Sequence, residues 1–322
     1  MKFLLLGKDG QLGWELQRSL SVLGQLVALD RHGQGSLCGD LTNLDGLRAI
    51  VRELRPDVIV NAGAWTNVDL AEEHPEQAHL INALAPQVLA EEQAKVGGWL
   101  VHYSTDYVFD GTGTTPWRET DTPNPINEYG RSKLAGDQAI EASGCKHLIF
   151  RTSWVYGVHG DNFIKTMLKL GREREEISVV DDQVGAPTGA DLLADVTAHA
   201  LRAVRTAPEK AGLYHVAAAG ETSWYGYAQF IFESVGWRKT TVHDGVGGAP
   251  NALARRAEAA KRQIDPWIVD TLRPIASAEW PTPATRPLNS RLDTGKVMNA
   301  FALQLPPWQE GVERVLAQLL CS

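Results

Sequence analysis

What most narrows the folds open to this chain is how it starts: a short apolar run at 3–6 (F-L-L-L), then G-K-D-G-Q-L-G, then an amphipathic helical pattern over 14–22. The order is strand, glycine turn, helix. Gly7, Gly10 and Gly13 keep a G-x-x-G-x-x-G spacing, which lets the backbone turn tightly and brings the amides of a helix N-terminus against a pyrophosphate. A second strand pattern at 26–29 ends in Asp30, 20 residues after Gly10, where a carboxylate can hydrogen-bond an adenosine ribose. Piece by piece, a structural turn and a surface carboxylate would look the same. The spacing of the pieces favours a dinucleotide.

Helix and strand patterns then alternate: helix 43–54, strand 57–61 (D-V-I-V-N), helices over 68–95, strand 98–105, a helix from Asn127, and strand 147–152. This implies an α/β chain with a doubly wound parallel (Rossmann) sheet. N-A-G-A-W-T at 61–66 sits at a strand end, where small residues let a cofactor lie against the backbone, and Asp40 and Leu41 would border the adenine. Beyond Gly157 the alternation loosens. Residues 162–172 and 190–205 read as helices, 177–180 and 213–217 as extended, and D-D-Q-V-G-A-P-T (181–188) as a loop of turn formers. The expected division is a dinucleotide-binding domain of 1–156 plus roughly 188–218, and a smaller C-terminal substrate-binding domain of roughly 157–187 and 219–322. No low-complexity linker separates them, so they should pack closely.

The chemistry concentrates between Tyr103 and Lys133. The strand at 98–105 (G-W-L-V-H-Y-S-T) ends in hydroxyls at the sheet edge where ligands of open α/β folds bind. Successive side chains alternate faces, so of Ser104 and Thr105 one should be structural. Asn127 is a plausible N-cap, and Tyr129 and Lys133 lie one turn apart on the helix it starts. An ammonium beside a phenol favours the phenolate, and lowering a tyrosine pKa by ~3 units takes about 4 kcal/mol. A solvated helix face would carry the same Y-x-x-x-K spacing. The strand end beside it argues for a proton-exchanging pair.

The chain's 322 residues can bury a large core. A formal charge of −8 offers no basic stripe for nucleic acid. The sequence has no run of about 18 apolar residues and no signal-peptide pattern after Met1, so a cytoplasmic protein is expected, with no membrane partner. Cys38, Cys145 and Cys321 are odd in number and far apart, which suits a reducing compartment. The stretch P-T-P-A-T-R-P-L-N-S-R-L (281–292) reads as extended, and its Arg286 suits bidentate phosphate contact or plain solvation.

Taken together, G-K-D-G-Q-L-G-W-E-L-Q, H-Y-S-T-D-Y-V-F-D-G-T-G, Y-G-R-S-K-L-A-G, R-T-S-W-V-Y-G, D-D-Q-V-G-A-P-T-G-A and the 281–292 segment resemble the extended short-chain dehydrogenase/reductases, and among them most closely the dTDP-4-dehydrorhamnose reductases. The resemblance spans nearly the whole chain. It implies reduction of the C4 ketone of dTDP-4-dehydro-L-rhamnose by NADPH or NADH, the last step of dTDP-L-rhamnose synthesis for surface polysaccharide. Through it, Tyr129 is the proton donor, Lys133 lowers its pKa and holds the nicotinamide ribose, and Thr105 hydrogen-bonds the reacting carbonyl. Asp106 and Trp154 contact the sugar, while Gly10, Gln11, Leu12, Asp30, Asp40, Leu41, Ala64, Trp65, Thr66 and Tyr103 match cofactor-contacting positions. It also implies a homodimer with Mg²⁺ near Glu15, Asp191 being a partner, although a helix-surface glutamate is the plainer reading of Glu15. A dehydratase of the same superfamily would resemble T-D-E, and here Tyr107 follows Asp106. A non-catalytic NADP-binding regulatory subunit, like that of methionine adenosyltransferase, also resembles this chain; the intact Tyr129 and Lys133 weigh against it.

Residues 245–275 depart from the family pattern and look like an insertion, with an alanine-rich helical composition at 251–263. Alanines bury little area, so a weakly docked surface helix is expected, with a lid over the sugar nucleotide as the functional alternative.

Overall fold

Phe3, Leu4, Leu5 and Leu6 are fully buried, which a strand requires when helices cover both of its faces. In the computed structural model, which describes residues 1–236 and 267–321, they form β1 (Lys2–Leu6) within a six-stranded sheet. Its order is β10 (Gly212–His215), β5 (Lys146–Thr152), β4 (Trp99–Thr105), β3 (Val58–Asn61), β1, β2 (Gln25–Leu29), and every neighbouring pair is parallel. β2 lies on one side of β1 and β3 on the other, so the chain reverses its winding at β1. That is the switch point where open α/β sheets bind ligands.

Helices α1 (Gln11–Ser21) and α8 (Ala190–Val204) cover one face, packing Leu12, Leu16 and Leu20 with Leu193, Leu201 and Val204. On the other face, α2 (Leu44–Leu54), α5 (Ala85–Val96) and α6 (Glu128–Ala142) bury Leu47, Val88, Leu89 and Ile140. The doubly wound arrangement implied by the sequence is therefore present. Val297, Phe301 and Leu305, around α10 (Gly295–Phe301), join the first of these cores, so the 219–322 stretch is not held wholly apart from the sheet.

A separate core forms from α7 (Phe163–Glu173), β7 (Glu176–Val180), α9 (Trp224–Ser234), β12 (Thr271–Ile275) and α11 (Trp308–Leu320), with Ile164, Leu168, Ile231, Phe232, Leu272 and Val312 at its centre. β12 pairs in parallel with β7, from Thr271 opposite Glu176 to Ile275 opposite Val180. The helix expected at 251–263 lies outside the described residues. Residues 267–275, expected to belong to the same weakly docked insertion, are instead firmly built in. The Ile268 and Val269 amides donate to the Gly171 carbonyl at 2.8 and 3.0 Å, and Ile268, Val269, Leu272 and Ile275 are buried. Unlike alanine, these side chains carry enough apolar surface to complete a core.

The 181–188 loop also contains short pairings that no periodicity could announce. β8 (Val184–Gly185) runs antiparallel to β11 (Thr222–Ser223), and β9 (Thr188–Gly189) runs parallel to β6 (Val155–Tyr156). The 281–292 segment is stitched alongside: the Asn289 amide donates to the Gly111 carbonyl, and the Ser290 amide to that of Val184. No helix among the described residues is long and apolar enough to cross a membrane.

Candidate active site

Where β1 and β3 end, only glycine fits. Gly7 has φ +82°, and a Cβ on it would lie 2.6 Å from the Gly63 nitrogen; a Cβ on Gly13 would lie 1.9 Å from the Gly7 carbonyl oxygen. No side chain caps α1, whose N-cap is Gly10. This cradle, closed to side chains and headed by helix amides, fits a dinucleotide pyrophosphate. The strap 157–162 crosses it. Asn162 Nδ2 donates to Gln11 Oε1 at 3.0 Å, and the His159 ring stacks on Trp14 at 4.5 Å with its Nε2 2.9 Å from the Asp9 carbonyl. Leu12 packs into the core beneath.

Asp30, at the end of β2, accepts from Lys8 Nζ at 3.1 Å and from the His32 amide at 2.7 Å, and these bonds hold its carboxyl below the usual range. Asp40 Oδ1 accepts from the Thr42 amide and hydroxyl, and Leu41 presses on Gly63. The Ala64–Trp65–Thr66 segment is pinned by a residue the sequence reading missed. Asn82 Oδ1 accepts from the Trp65 amide at 2.9 Å, and its Nδ2 donates to the Trp65 carbonyl at 3.0 Å. Asn82 sits in a π-helical turn, Leu80–Leu84, of the kind often found at functional sites. Its sequence signal was an amide inside the apolar helical run L-I-N-A-L.

At the end of β4 the strand alternation resolves the two hydroxyls. Ser104 Oγ donates to Asp137 Oδ2 at 2.9 Å and is structural. Thr105 Oγ1 donates to Asp106 Oδ1 at 3.1 Å, accepts from the Tyr107 amide, and is near enough to the Tyr129 phenol to oppose the rise of its pKa. Asn127 caps α6, its Oδ1 accepting from the Gly130 amide at 2.8 Å, which sets Tyr129 in the first turn edge-on to Tyr107. Asp106 is buried, with Oδ2 lacking a partner; burial pushes its pKa up to about 7 against the hydrogen bonds of Ser290 and Thr105.

The lysine departs from expectation. Lys133 Nζ donates to the Tyr103 carbonyl at 2.6 Å and lies 3.1 Å from His102 Nε2, so its head is tied to β4 rather than to the phenol. Burial lowers its pKa to about 8, with Asp137 opposing, and burial raises that of Tyr129 well above the ordinary value. The expected lowering of the phenol is thus not the balance found here. The one-turn spacing aligns the two stems, but desolvation outweighs the cation. The Tyr103 hydroxyl meets Thr197 in the α8 core at 2.8 Å, leaving its carbonyl to serve the site.

Behind Lys133, Asp137 Oδ2 also accepts from Arg151 Nε at 3.0 Å, both residues being almost wholly buried. Burial raises the Asp137 pKa against the cations of Arg151 and Lys133. His102, Asp137 and Arg151 also escaped the sequence reading. Their signals were titratable letters inside the apolar strands L-V-H-Y and I-F-R-T, and a carboxylate four residues after Lys133.

Beyond β5, Trp154 adopts φ +50° and stacks on Trp224 at 3.8 Å. Trp224 borders a cavity of about 940 Å³ together with Phe163, Gln183, Arg174, Asp69 and Arg286. Arg286 already holds a carboxylate in its fork, with Nη1 and Nη2 2.6 and 2.7 Å from the two Asp69 oxygens. Glu15 and Asp191 border a different cavity of about 250 Å³. Each is matched by a guanidinium, Glu15 with Arg18 at 3.5 Å and Asp191 with Arg314. Among the described residues no group of three or more His, Cys, Asp or Glu could hold a metal ion. Nothing in this arrangement supports the expected Mg²⁺.

The family model described as RmlD substrate binding domain matches residues 1–321. A dTDP-4-dehydrorhamnose reductase from Escherichia coli strain K12 is 50% identical over 322 residues, covering 100% of this chain and 99% of that protein. Among solved structures, a dTDP-4-dehydrorhamnose reductase from Clostridium acetobutylicum superposes with TM-score 0.82 at 33% identity, covering 99% of this chain and 100% of that one. A Bacillus anthracis dTDP-4-dehydrorhamnose reductase in complex with NADP gives 0.78, also at 33% identity, over 98% and 99% of the two chains.

Proposed function

The chain belongs to the family of the RmlD substrate binding domain, and from that premise we propose that Tyr129, Lys133 and Thr105 carry its reaction. That reaction is the NAD(P)H-dependent reduction of the C4 ketone of dTDP-4-dehydro-L-rhamnose to dTDP-L-rhamnose. The observation that supports these roles is the meeting of Thr105 and Tyr129 at the carboxyl edge of β4, with the Lys133 ammonium buried behind them. When bound, the reduced nicotinamide supplies the hydride. The protein does the rest. Burial keeps Tyr129 a phenol at neutral pH, ready to give its proton to the developing alkoxide, and the Thr105 hydroxyl orients the carbonyl. The Lys133 charge stabilises the phenolate left behind.

Gly7, Gly10, Gln11, Leu12, Gly13, Asp40, Leu41, Ala64, Trp65 and Thr66 hold the cofactor, with Asp30 at its ribose. Asp30 can take a free 2′-hydroxyl and the cation beside it, Lys8, a 2′-phosphate, so both NADH and NADPH serve. Asp106 and Trp154 meet the sugar, and Arg286 exchanges Asp69 for a phosphate. In this reading the domain of 1–156 plus roughly 188–218 carries the cofactor, and the remainder carries the sugar nucleotide. The chain works in the cytoplasm, and a homodimer follows from the family resemblance.

Tyr129→Phe removes only the proton, so turnover should fall about 10²–10⁴-fold while cofactor affinity is kept. Near-wild-type loss of reduced-nicotinamide absorbance in the variant would overturn the assignment.

A further inference from the structure

We infer that His102 is a positioning residue for the reduction: its neutral imidazole, held between Lys133 and Asn61, fixes the lysine ammonium relative to Thr105. This rests on reading Tyr129 and Lys133 as the reacting pair.

His102 is 1% exposed, and burial together with the Lys133 charge drives its pKa well below the ordinary value. A neutral imidazole has one donor and one acceptor nitrogen. An ammonium only donates, so Nε2, 3.1 Å from Lys133 Nζ, is the acceptor, and Nδ1 bears the proton. Nδ1 lies 3.3 Å from Asn61 Nδ2, while Asn61 Oδ1 is buried without a partner. A half-turn of the amide brings Oδ1 onto the Nδ1–H, which satisfies both groups and locks the tautomer.

Two of the three ammonium N–H groups are thereby committed, one to His102 Nε2 and one to the Tyr103 carbonyl. Both acceptors belong to β4, the strand that also ends in Thr105. Carbonyl-orienting hydroxyl and ammonium are therefore set from one strand, and a shift of α6 cannot carry the charge away without breaking both bonds. Asp137 of α6 also faces Lys133; its Oδ2 accepts from Ser104 of β4 and Arg151 of β5, and its Oδ1 is buried without a partner. Tyr129 lies one turn back on α6, with Asp106 and Tyr107 following β4 on the phenol side. The π-helical turn packed on α6 brings the neutral Asn82, which bonds Ser132. Two buried cations thus share one carboxylate. His102 adds a neutral acceptor that holds the ammonium in place.

His102→Phe keeps a ring of similar size and removes the acceptor, which disfavours the charged lysine. The alkaline limb of kcat should move about one pH unit toward acid, with kcat at pH 8 down about fivefold and KM for the sugar nucleotide within about twofold. His102→Gln, whose amide oxygen can accept, should bring the limb back toward the wild-type position. Coincident pH profiles for wild type and His102→Phe, or no recovery in His102→Gln, would overturn the inference, because a purely structural role changes Tm without moving the limb. If His102→Phe does not fold, Asn61→Leu frees the tautomer and should move the limb less in the same direction; no movement overturns the inference. Lys133→Met separates the two readings. Lost turnover in a variant that folds as wild type by circular dichroism supports the pair, and retained turnover would overturn the pair and the inference with it.

Discussion

Two carboxylate–guanidinium pairs, one behind Lys133 and one beside the cavity of about 940 Å³, are sent in opposite directions by burial. Asp137 and Arg151 are 1% and 4% exposed at the side chain, whereas Asp69 and Arg286 are 35% and 20% exposed. The Asp137 pKa is raised, because desolvation outweighs its cations; the Asp69 pKa is lowered, because the Arg286 hydrogen bonds outweigh a smaller desolvation. The chemistry is the same and the sign differs. A buried pair contributes little net stability, yet breaking it strands a charge, so it fixes a position. An open pair is worth little and is easily remade, so it can change partners.

The largest expected effect tests the buried member. Asp137→Ala leaves Arg151 without its carboxylate and should cost about 3–5 kcal/mol, on the order of 10 °C in Tm. Asp69→Ala should stay within ~1 kcal/mol. Thermal unfolding by circular dichroism reads both, and equal losses would erase the distinction.

A smaller effect comes from Asp106, a buried carboxyl whose hydrogen bonds come from hydroxyls and amides rather than a cation. Its folded pKa of about 7 lies above the usual 3.8, so its stability contribution is complete below the lower value and is lost as pH rises toward 7. Asp106→Asn removes that loss. The variant should gain a few degrees over wild type at pH 8 and none at pH 4. A variant less stable than wild type at pH 8 would mean that the carboxylate is ionised and paired.

The smallest effect belongs to the open pair. Arg286→Ala should raise KM for the sugar nucleotide about tenfold, ~1.4 kcal/mol, with kcat within about twofold. An unchanged KM would make Arg286 as structural as Arg151.

The parts of the site that are local in sequence were legible there. The glycine spacing, Asp30 at a strand end, the Asn127 cap and the one-turn spacing of Tyr129 and Lys133 all follow from periods and offsets within one element or one turn, whereas the choice between Ser104 and Thr105 does not. What could not be read was partnership across the sheet. Lys133 is aligned with Tyr129 by its helix, but its hydrogen bonds go to residues of β4 some 30 positions away. Arg286 read equally as a phosphate fork or a solvated arginine until Asp69, 217 positions earlier, closed on it. The pairing of β12 with β7 was hidden for the same reason, since the apolar letters at 268–275 have no meaning until a distant partner strand is placed beside them.

That last pairing bears on how the chain is made. β7 cannot be completed until Ile275 is available, whereas the glycine cradle is closed by β1, β2 and β3, all before Ala62. Closing so long a loop costs chain entropy before any contact is gained. Synthesis from the N-terminus therefore delivers β1 to β5 of the central sheet well before β7 can be paired. A product that stops short of Thr271 keeps Gly7, Tyr129 and Lys133 but leaves β7 with an open edge above Ile164, Leu168 and Phe232. Such an edge is a template for another chain, so the hazard of truncation here is aggregation rather than a merely inactive enzyme.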